Sequence, residues 1–442
     1  MKRILLVSII VLLAIGPYAE EKDTAQLEPL VKLELVWEKE IPAGINDIVF
    51  LDENGYNVFS SQCKNPEKAI KEMKMLLLSG KKVKLVSGED FKVVKEIDFL
   101  PHSRVAISKN GRNIAVIEHI ISDTIPEAKL QWYLGVIKTT VRLFNWKLEE
   151  LARIDYGSPY AEIFAIGNDS TVVLVNSGED GSCTHITVLT KIGNTFKRVY
   201  GLNEGVYPTG LFDYAEDGST IFFIYTDPST PVDGVKNVGD RIVVDGNGKE
   251  MLRYSYQHPG WAGWVSPGGN YLVEVTRGKY LVIRDRNGRL IAEHHVQGPG
   301  NYYAAFSPDE KYLCVTPGPW RVYFFDTETG KMLWEYLDTL SRYRSIAVAP
   351  KGEHIFLSTT LFHPSNLTLQ EMADKSLLVF NRNGQFLNKS FVASVKKPEE
   401  LEFYRWEAVA PPLGITSDSR FLLVRLPNRL LLYHVVEKGG GR

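Results

Sequence analysis

The chain has 442 residues, 44% hydrophobic and 24% charged, which is a globular composition and argues against disorder. Lysine and arginine number 51 against 53 acidic residues, for a net charge of -2, and no long basic run occurs. Non-specific nucleic-acid binding needs clustered cations to displace counterions from phosphates, so no nucleic-acid partner is expected, and nothing marks an anionic membrane surface as a target.

The first segment begins Met1-Lys2-Arg3, continues as an apolar run from Ile4 to Ile15, and reaches Gly16-Pro17-Tyr18-Ala19 before Glu20-Glu21. Basic start, short apolar core and small residue are the order of a secretory signal, read here as residues 1–19. The run is shorter than the about 20 residues that span a bilayer. A signal anchor is the alternative, since Pro17 is a poor residue three places before a cut at Ala19. The expected address is periplasmic or extracellular, with no membrane span once the signal is removed. Residues 20–32 read as a linker, and 438–442 as a flexible Gly-rich tail.

Residues 33–437 carry one degenerate repeat. In chain order, its units begin where an apolar strand ends in a turn: Leu51 with Asn54-Gly55, Ile107 with Asn110-Gly111, Ile166 with Asn168-Asp169, and Tyr214 with Asp217-Gly218. The two clearest copies follow, around Ser266-Pro267-Gly268-Gly269 and Ser307-Pro308-Asp309-Glu310. Val348 with Pro350-Lys351-Gly352, and Ile415 with Asp418, complete eight units. Asn-Gly and Asp-Gly pairs suit these places because tight hairpins need residues that tolerate positive φ. Four short strands per unit, separated by turns, is the blade of a propeller.

The last unit stops one strand short. Leu33-Glu34-Leu35-Val36-Trp37-Glu38 matches the last strand of the unit containing Met332-Leu333-Trp334-Glu335, so residues 33–41 are expected to complete the eighth blade and close the ring. The fold class is therefore all-β: a single β-propeller of eight four-stranded blades closed by an N-terminal strand. A seven-blade ring is the alternative, because the units near Ile166 and Ile415 are the weakest. The Ser-Pro-Asp-Glu and Ala-Pro-Lys-Gly turns followed by apolar strands resemble the bacterial WD40-like (YVTN/quinoprotein-like) propeller repeats over nearly all of residues 33–437. The resemblance implies the fold and carries no chemistry, and most units lack the Gly-His and Trp-Asp dipeptides of true WD40 repeats.

Long connections are expected between second and third strands in blade one (62–82), blade two (120–139) and blade seven (361–374), and in the link from blade seven to eight (393–412). All emerge on one face above neighbouring blades, which points to a partial lid. Pro66 can start a helix in the first of these, with Ala69, Ile70, Met73, Leu76 and Leu77 at helical spacing; that stripe packs on its own blade or serves as a lid or docking helix.

The starts of the innermost strands put side chains at the channel mouth: Asn46, Asp47, His102, Arg104, Tyr160, Glu162, Tyr207, Trp261, Tyr302, Tyr303, Arg342, Tyr343, Arg344, Tyr404, Arg405 and Trp406. Aromatics and arginine dominate this set, as at binding hot spots, although blade interfaces use the same residue types as packing wedges.

Motifs of chemistry are sparse. None of the nine histidines forms His-x-His or His-Glu-x-x-His, and His294-His295 on one strand point to opposite faces. Gly-x-Ser-x-Gly and phosphate-cradling loops do not occur. Residues 326–334 (Asp-Thr-Glu-Thr-Gly-Lys-Met-Leu-Trp) resemble the tryptophan-docking motif of eight-bladed quinoprotein dehydrogenases, but only one blade has the full pattern, and no cysteines are adjacent. Three cysteines are too few for a disulfide scaffold; Cys314 reads as core, while Cys63 and Cys183 fall in expected loops and could pair or stay free. No cofactor, metal or catalytic residue is expected. The functional expectation is an exported, monomeric, non-catalytic scaffold that binds a protein, peptide or glycan through its loop-rich face. The alternative is an extracytoplasmic enzyme with a metal or quinone at the channel mouth.

Overall fold

The computed structural model describes residues 30–41, 45–79, 82–100, 103–121, 136–156, 161–166, 171–177, 183–202, 207–226, 239–256, 258, 260–276, 278–297, 302–317, 321–337, 341–361, 375–393, 413–426 and 429–437. Thirty-two described strands form eight four-stranded sheets. Blade one holds β2 (Ile45–Leu51), β3 (Lys74–Ser79), β4 (Lys82–Ser87) and β5 (Lys92–Asp98). Blade two holds β6 (Arg104–Ile107), β7 (Asn113–Ile121), β8 (Val136–Asn145) and β9 (Glu150–Tyr156). Blade three holds β10 (Ala161–Ile166), β11 (Thr171–Ser177), β12 (Cys183–Ile192) and β13 (Thr195–Leu202). Blade four holds β14 (Tyr207–Tyr214), β15 (Thr220–Thr226), β16 (Gly239–Asp245) and β17 (Glu250–Tyr256). Blade five holds β18 (Gly260–Val265), β19 (Tyr271–Thr276), β20 (Tyr280–Asp285) and β21 (Leu290–His295). Blade six holds β22 (Tyr302–Phe306), β23 (Tyr312–Pro317), β24 (Arg321–Asp326) and β25 (Met332–Leu337). Blade seven holds β26 (Ser341–Val348), β27 (His354–Leu361), β28 (Lys375–Asn381) and β29 (Phe386–Ala393).

Blade eight is built from both ends of the chain: β30 (Leu413–Ile415), β31 (Phe421–Leu426) and β32 (Arg429–Glu437) are completed by β1 (Val31–Glu40). β1 runs antiparallel to β32 from Val31 opposite Glu437 to Glu40 opposite Arg429, so the expected closing strand and the count of eight both hold.

The core is a chain of inter-blade clusters. Phe144 and Ile114 of blade two meet Leu76 and Leu85 of blade one, Phe325 and Leu313 of blade six meet Val273 and Ile283 of blade five, and Leu422 and Val424 of blade eight meet Phe356 and Val379 of blade seven. At about 1.5–3 kcal/mol per fully buried large apolar side chain, each interface stabilises both of its blades. The pairing of the two outer strands is shifted by a bulge in all eight blades. A bulge increases twist and disrupts the ladder, which makes the outward edges poor templates for another chain.

The turns explain the repeat. Where Ser or Thr ends the innermost strand, its hydroxyl accepts the backbone N–H five residues on: Ser108 from Asn113, Ser266 from Tyr271, Ser307 from Tyr312 and Thr416 from Phe421, at 2.9–3.1 Å. The outer hairpins use Asx turns, in which Asn145, Asp245, Asp285 and Asn381 each accept two backbone N–H groups. Residues 326–334 form such a hairpin: Asp326 accepts from Thr329, Gly330 takes φ 66°, and Trp334 stacks between Phe324 and Phe380 while its Nε1 donates to the Arg382 carbonyl at 2.9 Å. The tryptophan is thus a wedge between blades six and seven.

Blade one departs from the expectation. The helix is α1 (Pro66–Glu72), capped by Asn65, whose side chain accepts from the Lys68 N–H, and it ends at Met73 in the left-handed region. Leu76 and Leu77 lie in β3, paired on both sides, because a short apolar run fits a buried strand and a helix equally well by periodicity. The insertion therefore joins the first and second strands, and only residues 80–81 join the second and third. Ala69, Ile70 and Met73 are buried in a cluster that joins Phe50, Met75 and Val86 of their own blade to Phe421 and Leu432 of blade eight, so the stripe is packing and not a lid. Cys63 is free and buried in this insertion, Cys314 is free and buried in β23, and Cys183 opens β12 where a loop was expected.

Candidate functional site: the central channel

Each innermost strand runs from the link with the preceding blade toward the first turn, so the ring has a link face and a turn face. Second strands end and third strands begin on the link side. The connections between them in blades two, four and seven (122–135, 227–238 and 362–374) are long, as is the 394–412 link, and all lie outside the described residues. The expected long second-to-third connection of blade one is corrected, since only residues 80–81 separate those strands, and the twelve residues between β15 and β16 of blade four are a long connection that the sequence reading did not name.

A cavity of ≈ 420 Å³ occupies the channel. Its walls come from the innermost strands of blades one, two, six, seven and eight, including Val49, Ile107, Phe306, Ile346, Val348 and Ile415. Beside the three-residue β30 it reaches Leu423 and Arg425 of β31.

Toward the link face stands Asp47, whose carboxylate pairs with Arg425 at 2.9 Å. Asp47 is open to channel water yet surrounded by protein, and this desolvation raises its carboxyl above the ordinary value against the opposing pull of Arg425.

Toward the turn face the channel is crossed by polar contacts. The blade-one insertion presents Ser61, whose N–H and Oγ both donate to Oε2 of Glu216 in blade four, at 3.2 and 2.7 Å. Lys109 of blade two donates to Asp213 Oδ1 and to the Tyr214 carbonyl, both at 2.5 Å, with its ammonium over the Tyr214 ring. Asp213 Oδ2 accepts from the Val265 N–H of blade five, and the Glu216 N–H donates to the Pro267 carbonyl. The insertion is tied in further by Asn57, whose N–H donates to the Asn110 carbonyl, and by Ser417, which donates to the Cys63 carbonyl. Glu216 has a raised carboxyl pKa, chiefly from burial, with the Ser61 bonds and the Lys109 charge acting the other way. Among the described residues, bonds from blades one and two to blade four thus cross this end of the channel.

Of the sequence-derived mouth residues, Asp47, Arg104, Tyr302 and Tyr303 have described side chains. Asp47 lines the cavity. Arg104 is exposed at the start of β6. Tyr302 and Tyr303 are half-buried and pack into the interfaces on either side of blade six, and burial raises the Tyr302 phenol. For these two the packing-wedge reading is the observed one. Asn46, Glu162, Tyr207, Trp261, Arg342, Tyr343 and Arg344 occupy innermost strands as expected, with side chains outside the described set. His102, Tyr160, Tyr404, Arg405 and Trp406 lie outside the described residues altogether.

Sequence reasoning missed Ser61, Lys109, Asp213, Glu216 and Arg425. Three of them, Lys109, Asp213 and Glu216, stand beside turn motifs that were read only as punctuation. Their meeting is set by ring closure.

A second polar assembly joins blades four and five nearer the link face. Arg241 is 0% exposed and its Nε donates to Glu274, 2% exposed, at 2.7 Å, while its Nη2 donates to the His258 carbonyl. Tyr256 lies under the Arg241 guanidinium and donates to Glu293. Glu274 is raised by burial, with Arg241 opposing.

No group of three or more His, Cys, Asp or Glu able to hold a metal occurs among the described residues, and no described helix is long and apolar enough to cross a membrane. The class defined by the fold and channel is an eight-bladed β-propeller with a central cavity. The chain is similar in shape to the C-terminal WD40 domain of Sif2 (TM-score 0.53, 10% identity, covering 91% of this chain and 98% of that one) and to the Dos1 propeller (0.51, 10%, 91% and 95%). BamB from Moraxella catarrhalis aligns at TM-score 0.49 and 12% identity over 91% of this chain and 100% of that one. The sequence matches no protein-family model and no curated protein. At these identities the likeness is one of fold alone.

Proposed function

We propose that this chain is an exported, non-catalytic binding scaffold that engages a protein, peptide or glycan through the link face. The observation that carries this reading is the difference between the two ends of the channel. The turn end is crossed by the Ser61–Glu216 and Lys109–Asp213 bonds, whereas at the link end the second strands of blades two, four and seven end and the third begin, joined by segments of 12–14 residues that lie outside the described residues. A propeller site needs a concave mouth with variable loops above a rigid scaffold. Tyr207, Trp261 and Tyr343 stand in innermost strands near that mouth, and aromatic side chains of this kind are common anchors. The enzyme alternative draws no support from Asp47, which is engaged by Arg425. The test is recovery of a partner from the protein's native surroundings by the wild type and by a Trp261, Tyr343 and Trp406 triple-alanine variant. Loss of the partner in the variant supports the link face, and unchanged recovery counts against it.

A further inference from the structure

We propose that the channel receives a single lysine side chain of a protein partner, with Glu216 as its counter-charge. This rests on the partner-binding reading above and names the group that the partner inserts.

The charges along the cavity are unequal among the described side chains. Asp47 is paired with Arg425, and Lys109 is paired with Asp213. Glu216 lines the same cavity and has no ion pair among the described residues. Glu216 is half-buried, and the two Ser61 hydrogen bonds and the nearby Lys109 charge offset part of the cost of burying its carboxylate; a ligand cation in direct contact offsets more. The raised Glu216 carboxyl reflects the same burial.

The hydrogen bonds choose between cations. Both Ser61 bonds fall on Oε2, so one carboxylate oxygen, Oε1, is left to a ligand. Guanidinium recognises carboxylate best through two parallel N–H···O bonds, whereas an ammonium is a compact point charge that one oxygen can serve. One open oxygen therefore favours lysine over arginine. Between mouth and floor the wall is apolar, with Val49, Phe306, Ile346, Val348 and Ile415. Such a sleeve matches the four-methylene stem of lysine, which buries readily while its charged head finds a polar end. The ≈ 420 Å³ volume falls within the range of small-ligand pockets.

The test uses the whole folded chain and three probes: the Nα-acetyl N-methylamides of lysine, norleucine and arginine, titrated at neutral pH by calorimetry or NMR. The lysine probe is expected to bind about tenfold more tightly than the uncharged norleucine probe, as one charge-assisted hydrogen bond allows. Glu216→Gln should erase that difference. Equal binding of lysine and norleucine, stronger binding of arginine, or a difference that survives Glu216→Gln would overturn the proposal. Because Glu216→Gln also weakens the Ser61 tether, Ser61→Ala serves as a second variant. It frees Oε2 while keeping the carboxylate, so the arginine probe should gain several-fold relative to lysine, and no gain would also overturn it. If the triple-alanine variant loses the partner while wild type shows no lysine preference, the insertion falls and the scaffold reading stands. If the lysine preference is present but the triple-alanine variant keeps the partner, the reverse holds.

Discussion

On the turn face the blades are held by many short-range bonds: hydroxyls closing the first turn of four blades, and Glu310 of blade six accepting from Ser266, Gly268 and Asn270 of blade five. Nearer the link face, blades four and five share one fully buried ion pair, Arg241–Glu274. The first arrangement is distributed, so no single bond is critical. The second is concentrated, because a buried charge that loses its partner bears the whole desolvation cost. Distribution leaves the turn face rigid under substitution, whereas the link-ward part of the contact between blades four and five concentrates its charge in two residues.

The sharpest break is Arg241→Met. It removes the hydrogen-bonded partner of the buried Glu274 carboxylate, leaving only the more distant Arg284 charge, and should destabilise the protein by about 3 kcal/mol in denaturant unfolding. Adding Glu274→Leu should restore most of that stability, and a double variant as weak as the single one would refute a concentrated junction. Next is Gly384→Ala. Gly384 takes φ 78° and a Cβ there would lie 2.8 Å from Cγ of Trp334, so a loss of more than about 1 kcal/mol is expected in thermal unfolding. Trp334→Phe in the same background should relieve part of it. Ser307→Ala removes one turn closure and should cost about 1 kcal/mol, with blades five and seven keeping their amide protection in hydrogen exchange.

The smallest effect is one of pH. Burial raises Glu216 in the folded state, so folding takes up a proton in the window between the unfolded value, near 4.5, and the higher folded one. The folded state is therefore disfavoured as pH rises through that window, and the penalty is absent below it. Glu216→Gln removes the titrating group, so its stability relative to wild type should increase from pH 4.5 toward neutrality. A flat difference would show that Glu216 is solvated like an exposed carboxylate.

Much of the ring was legible because the repeat is local. Ser307-Pro308-Asp309-Glu310 states its own turn, since the hydroxyl that closes it and the N–H that it captures are five residues apart. Trp37 and Trp334 marked outer strands because each must fill the gap to a neighbouring blade. Blade one was misread where locality failed: Met75, Leu76, Leu77 and Leu78 are apolar in succession, and only pairing with β2 and β4 makes them a strand. The candidate mouth residues were chosen by position in the repeat, and position does not tell an anchor from a wedge; Tyr302 and Tyr303 pack in part against the clusters on either side of blade six.

The sequence by itself determined the all-β class, the eight units and the closure of the last blade by an N-terminal strand, seen as Val31–Glu40, because each depends on turns and strand patterns within one repeat length. Tertiary structure alone decided that the blade-one insertion lies on the turn face, that Ser61 meets Glu216 from 155 residues away, and that Arg241 finds Glu274 in the next blade. Those meetings follow from ring closure, which brings into contact side chains whose separation along the chain carries no pattern.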